Sequence, residues 1–95
     1  MKRYEGLFVV RPDLNEEAQK KVFLQIETPI TQQGGTLETG QEWGRRPLSY
    51  SIQKKKEGFY YLVRFSVEPK AVDALKRSYA LNESILSLLI TRLAS

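Results

Sequence analysis

The sequence predicts an α+β fold of the ferredoxin-like, split βαβ kind, a four-stranded antiparallel sheet with two helices on one face and elements in the order β-α-β-β-α-β. Three observations lead there. Phe59, Tyr61, Val63, Phe65 and Val67 alternate with Tyr60, Leu62, Arg64 and Ser66, the period of a strand. Two stretches carry apolar residues at helical spacing, one through Ala18, Val22, Ile26 and Ile30 and one through Val72, Leu75 and Tyr79, and each follows an extended segment. A chain of 95 residues has room for one core between two layers, so residues 1–95 are expected to form a single domain.

Taken in order, Arg3 to Val10 alternates loosely until Arg11-Pro12-Asp13 stops it, which makes a first strand. Asp13 with Glu16 three residues on is a capping-box-like start, so a first helix begins near Leu14 or Asn15. Pro29 is expected to kink that helix or end it near Thr28, because proline lacks the amide the helix needs; Gly34-Gly35 is the stronger stop. A long second strand runs from Thr36 through Trp43 to Ile52, with Gly40 or Gly44 offering a bulge. Gln53 to Gly58 reads as a charged turn before the third strand. Pro69 has the fixed φ suited to a first helical position, and a second helix extends to about Ala80, its stripe widened by Ala71 and Ala74. Asn82-Glu83-Ser84 then turns into Ile85 to Leu93, apolar enough to be a largely buried closing strand.

Right-handed crossovers bring both helices over the same side of the sheet. The covered face is expected to carry Phe8, Val10, Phe59, Tyr61, Val63, Phe65, Leu88 and Ile90. The other face would present Leu7, Val9, Tyr60, Leu62, Arg64 and Leu89, too apolar for a surface that meets only water, and so a candidate binding surface.

Composition removes several kinds of chemistry. Without His or Cys the chain lacks the commonest general base, the thiol nucleophile and the usual ligands of zinc, copper and iron. The acids are scattered: Asp13, Glu16 and Glu17 suit the start of a helix, and Glu38, Glu42 and Glu57 lie near turns. No phosphate-binding or nucleophile-elbow motif is present, so no catalytic residue, metal, cofactor or small-molecule substrate is expected. An acylphosphatase-like activity would need an anion-cradling loop after the first strand, which Arg11-Pro12-Asp13 does not supply. The apolar runs are too short to span a bilayer and no signal-peptide stretch follows Met1, so the expectation is a soluble chain with no membrane partner, kept where it is made.

Lys and Arg number 15 against 11 Asp and Glu, a net +4 that suits an anionic partner. Lys2, Arg3, Arg45, Arg46, Lys54, Lys55, Lys56 and Arg64 fall at one chain end, along the second strand and around its hairpin with the third, and are expected to form one band that attracts phosphate. The bland reading is a solvated lysine turn and arginines that blunt an edge strand. Arg45-Arg46 carries more weight, because guanidiniums on extended backbone direct their hydrogen bonds, whereas turn lysines supply diffuse charge. Gly58 to Phe65 superficially resembles an RNA-recognition motif, but Tyr60 stands where that motif wants a small residue and Arg64 where it wants an aromatic. Tyr60 could stack a base or pack a protein partner; Trp43 is either a lid on the second strand or an interface anchor.

Several segments together identify a family resemblance: Lys2-Arg3-Tyr4-Glu5, then Glu42-Trp43-Gly44-Arg45-Arg46-Pro47-Leu48-Ser49-Tyr50-Ser51-Ile52, then Gly58-Phe59-Tyr60 and Asn82-Glu83-Ser84-Ile85. Across its whole length the chain resembles the bacterial small-subunit ribosomal protein S-six. The resemblance implies a structural RNA-binding protein that pairs with small-subunit protein S-eighteen and binds the central domain of 16S ribosomal RNA during assembly, in the cytoplasm or in an organellar ribosome. It implies RNA contacts for Lys2, Arg3, Arg45, Arg46 and Lys54 and a partner surface on the second strand and neighbouring sheet; joined to the charge and face readings above, the expected RNA contacts are Lys2, Arg3, Arg45, Arg46, Lys54, Lys55, Lys56 and Arg92, and the expected partner surface is Trp43, Tyr50, Tyr60, Leu62, Arg64 and Leu89. Ser51 departs from a usual proline, Ser87 from a frequent arginine and Pro29 from a helix that usually continues; with the sequence stopping at Ser95, the acidic tail that some relatives carry is not expected. The rival expectation is a protein-interaction or regulatory module of the same fold that never touches RNA.

Overall fold

The computed structural model describes residues 1–52 and 54–94, with Ser49 and Tyr50 described by their backbone alone. Gln53 and Ser95, and with them the start of the expected turn and the end of the chain, lie outside the described residues. The elements are strand β1 (Lys2–Val10), helix α1 (Glu16–Gln32), strands β2 (Thr36–Ile52) and β3 (Lys55–Val67), one 3-10 turn (Pro69–Ala71), helix α2 (Val72–Ala80) and strand β4 (Ile85–Arg92). Strand order across the sheet is β2-β3-β1-β4, with every neighbouring pair antiparallel. This is the ferredoxin-like arrangement the element order predicts.

The core lies between the sheet and the helices. Phe8, Val10, Val63, Phe65 and Val67 from the sheet meet Ile26 and Ile30 of α1 and Leu75 of α2, all fully buried. Aromatic pairs fill the space between layers: Phe23 of α1 stacks on Tyr61 at 4.3 Å between ring centroids, and Phe8 meets Tyr79 of α2 edge-on at 4.8 Å. The face expected to be covered is the face the helices cover, with Phe59, Leu88 and Ile90 at its margin.

Local structure departs from the sequence reading in four places. The N-cap of α1 is Asn15, whose Oδ1 accepts from the Ala18 amide at 2.8 Å, because Asp13 is held by Arg11 instead. The helix continues through Pro29 to Gln32, with the fully buried Ile30 anchoring its last turn. It ends in a Schellman motif: Gly34, at φ +79, and Gly35 donate to the carbonyls of Thr31 and Ile30. At the β2–β3 reversal Ile52 pairs with Lys55, so Lys55 to Gly58 is strand rather than turn, and Lys54 takes the left-handed φ of 65°. Finally, β4 is a half-exposed edge strand rather than a buried one, with Leu89 60 % exposed on the side the helices do not cover.

Candidate functional site

The helix-free face is built in two zones. Toward the Lys2 end of β1 it is polar: Arg3 makes a two-nitrogen contact with Glu38, at 2.9 to 3.1 Å, and the Ser66 hydroxyl donates to the same carboxylate at 2.8 Å. Those donors hold the Glu38 carboxyl below its usual range, the Arg3 hydrogen bonds contributing most. Arg64 pairs with Glu5 beside it at 3.0 Å, directly across the β1–β3 ladder. Toward the other end the face is apolar: Leu7 opposes both Leu62 and Leu89, and Val9 opposes Tyr60.

Three irregularities in β2 shape the two zones. Glu38 and Trp43 are each an extra residue against β3, and Leu48 to Ser51 face the single residue Lys56. Gly44, at φ +78, takes the backbone conformation that the second bulge demands. The consequence of the third is that the hairpin end curls across the sheet: Leu48 and Ile52 of edge strand β2 line one groove with Leu7, Val9, Tyr60 and Leu89, about 430 Å³ in volume. Val9, expected on an open surface, is therefore only 6 % exposed; Leu62, flanked in the sheet by Leu7 and Gln41, is 9 % exposed. Leu48 and Ile52 were not singled out from the sequence; their apolar spacing was visible, but the four-against-one bulge that turns them inward was not.

Trp43 is no lid on the core. It is 41 % exposed and stacks parallel to Tyr60, the planes 6° apart and the centroids 6.5 Å apart. Arg46 and Pro47 complete a second concavity there of about 520 Å³. The side chain of Tyr50, read as part of the partner surface, lies outside the described residues.

The basic residues do not form one band. Lys2, Arg3 and Arg92 sit at one end of the sheet, where Lys2 pairs with Val67 and Tyr4 with Arg92, and Arg45, Arg46 and Lys54 to Lys56 sit around the hairpin at the other end. Eight residue steps of β1 separate the two groups, roughly 26 Å at strand spacing. Nor are the cations equivalent. Arg45 points to the helix side, donating to the Pro12 carbonyl at 2.8 Å, pairing with Glu57 at 3.3 Å and lying over the Phe59 ring at 5.1 Å. Lys55 lies 3.8 Å from Asp13, whose carboxyl is held below its usual range chiefly by its hydrogen bonds from Arg11. Lys2, Arg46, Lys54, Lys56 and Arg92 have no ion-pair partner among the described residues.

Among the described residues no three His, Cys, Asp or Glu side chains converge on a metal position, and no helix is long and apolar enough to cross a membrane. The groove and its charged rim thus lie on the helix-free face of an α+β domain with the ferredoxin-like fold. The chain belongs to the family described as Ribosomal protein S6, whose model matches residues 3–92. It is 40 % identical over 92 residues to the small ribosomal subunit protein bS6 of Caldanaerobacter subterraneus subsp. tengcongensis, a match covering 97 % of each chain. The bS6 of Exiguobacterium sibiricum is 37 % identical with the same coverage. Among solved structures, 30S ribosomal protein S6 from Thermotoga maritima superimposes with a TM-score of 0.91 at 22 % identity, over 97 % of this chain and 87 % of that one. The C-terminal domain of MgtC from Mycobacterium tuberculosis, at a TM-score of 0.65 and 14 % identity, shares the fold alone. The family is that of a structural protein of the small ribosomal subunit.

Proposed function

We propose that this chain, as one structural domain, binds the central domain of 16S ribosomal RNA together with ribosomal protein S-eighteen while the small subunit is assembled, on the bacterial ribosome in the cytoplasm. The observation that carries the reading is the family match over residues 3–92. The geometry supports a division of labour. Lys54, Lys56 and Arg46 at the hairpin, with Lys2 and Arg92 at the far end, offer cations not engaged by carboxylates among the described residues. Arg3, Arg45 and Lys55, read from the sequence as RNA contacts, are first of all internal braces. The groove between Leu48, Leu7 and Leu89 is the place for an apolar segment of the partner protein.

With four to six phosphate contacts, log K should fall against log salt with a slope of about −0.7 to −0.9 per contact. The test is a salt-resolved titration of a labelled central-domain RNA fragment, with this protein alone and then with S-eighteen. Tight, salt-sensitive binding that requires both proteins supports the proposal. Absence of binding in both mixtures would replace it with the interaction-module reading.

A further inference from the structure

Four of the chain's arginines, Arg3, Arg11, Arg45 and Arg64, are each engaged by a carboxylate. Arg46 has none among the described residues, and it lies beside the Trp43–Tyr60 pair, the most exposed aromatic pair among them. Trp43 owes its position to the bulge that makes it an extra residue on an edge strand, and Tyr60 backs it in parallel. Trp43 keeps 41 % of its surface exposed, and with Tyr60, Arg46 and Pro47 it lines the concavity alongside.

From this geometry we infer that Trp43, Tyr60 and Arg46 form a stacking site for an unpaired nucleotide of RNA, the base lying against the Trp43–Tyr60 stack and its phosphate on the Arg46 guanidinium. The inference rests on the RNA-binding reading above and deepens it by naming single-stranded rather than duplex RNA as what this corner takes. Parallel π-faces accept any base, and a neighbouring cation without a partner supplies what the phosphate needs. Charge favours RNA over an apolar protein segment here, because Arg46, without a carboxylate partner among the described residues, lines this concavity itself, and Lys54 and Lys56 of the nearby hairpin add to its positive field.

Trp43 is the only tryptophan, so its emission reports on this site alone. The full chain is titrated with an oligoadenylate of about eight nucleotides, within the usual site size of single-strand binders, and separately with a blunt RNA duplex and with inorganic polyphosphate of equal charge. The expected result is saturable quenching by the single strand, and by neither of the others. Trp43→Leu should weaken binding of an end-labelled oligoadenylate by on the order of tenfold, read by anisotropy, and Arg46→Gln should lower the salt slope by about 0.7. Both substitutions are at exposed positions, and unchanged thermal unfolding verifies that the variants fold. Equal quenching by polyphosphate, unchanged affinity of Trp43→Leu, or quenching by S-eighteen without RNA would overturn the inference. If the central-domain fragment binds with S-eighteen while Trp43 stays silent, the stacking site fails and the ribosomal reading stands. If the oligoadenylate quenches while the fragment does not bind, the ribosomal reading fails instead.

Discussion

The hydroxyl of Tyr79 in α2 donates to the backbone carbonyl of Ile26 in α1 at 2.6 Å, inside the core and one turn before Pro29. With the Asn82 amide donating to Gln25 at 2.7 Å, it fastens the second helix and its following turn to the middle of the first. Tyr79→Phe keeps the ring against Phe8 and removes only the hydrogen bond, so it should cost about 1 kcal/mol and lower Tm by about 4–8 °C, as measured by urea and thermal unfolding. An unchanged urea midpoint would show that the bond adds nothing net.

Burial pushes the phenols of Tyr79 and Tyr61 well above their ordinary value, and for Tyr61 the hydrogen bond it donates to Glu27 adds to the shift. In the unfolded chain both ionise near pH 10, whereas in the folded chain they hold their protons to higher pH. Their contribution to stability is therefore complete below about pH 10 and is lost progressively above it. Urea midpoints between about pH 9 and about pH 11 should fall, and fall less steeply in Tyr79→Phe. A flat profile in the parent protein would contradict the argument.

The two glycines that end α1 are needed for different reasons. At Gly34 a Cβ would meet nothing within 4 Å, but φ is +79°, so Gly34→Ala should cost about 1 kcal/mol of backbone strain. At Gly35 a Cβ would lie 2.7 Å from the Ser66 carbonyl oxygen and 2.9 Å from that of Ile30, both rigid backbone, so Gly35→Ala should cost more than Gly34→Ala. Paired denaturation curves decide the order.

Cations with and without carboxylate partners should separate in the RNA titration with S-eighteen. Replacing Lys54 and Lys56 together by Gln should reduce the salt slope by about 1.4 to 1.8, two phosphate contacts' worth. Arg3→Gln should leave the slope within error, because Glu38 already holds that guanidinium. Equal effects of the two variants would mean that the pair opens when RNA arrives.

Leu89 projects from edge strand β4 beside the apolar groove. Leu89→Glu should change folding stability by less than about 0.5 kcal/mol, as exposed positions do, yet abolish co-sedimentation with S-eighteen by placing an unpaired charge in the contact. Retained co-sedimentation would move the partner surface elsewhere.

The fold was legible because period and length agree at every level: the alternation at Phe59 to Val67 and the spacing of Val22, Ile26 and Ile30 each admit one element type, and crossover handedness settles the layers. The site was legible only in its residue types. Whether Arg45 is free or pinned depends on Pro12, 33 residues away, and whether Val9 is open or covered depends on a bulge between Pro47 and Ile52, neither of which leaves a periodic trace. Pro29 misleads in part for a similar reason: a local rule kinks or ends the helix near Thr28, whereas the helix, with Ile30 buried in its last turn, runs on to the stronger stop read at Gly34-Gly35.

The pairing of Tyr4 with Arg92 joins positions 88 residues apart in the chain. During synthesis, β1 finds its partner on one side once β3 has emerged, but its other side stays bare until Ile85 to Arg92 have also left the ribosome. The growing protein thus carries an unsatisfied strand edge beside Phe8 and Val10 for most of the time it is being made, a stage at which a neighbouring nascent chain can add itself to the sheet. A component of the ribosome is in this way dependent, for the strand that closes its own sheet, on a ribosome reading through Ile85 to Arg92 without a long pause.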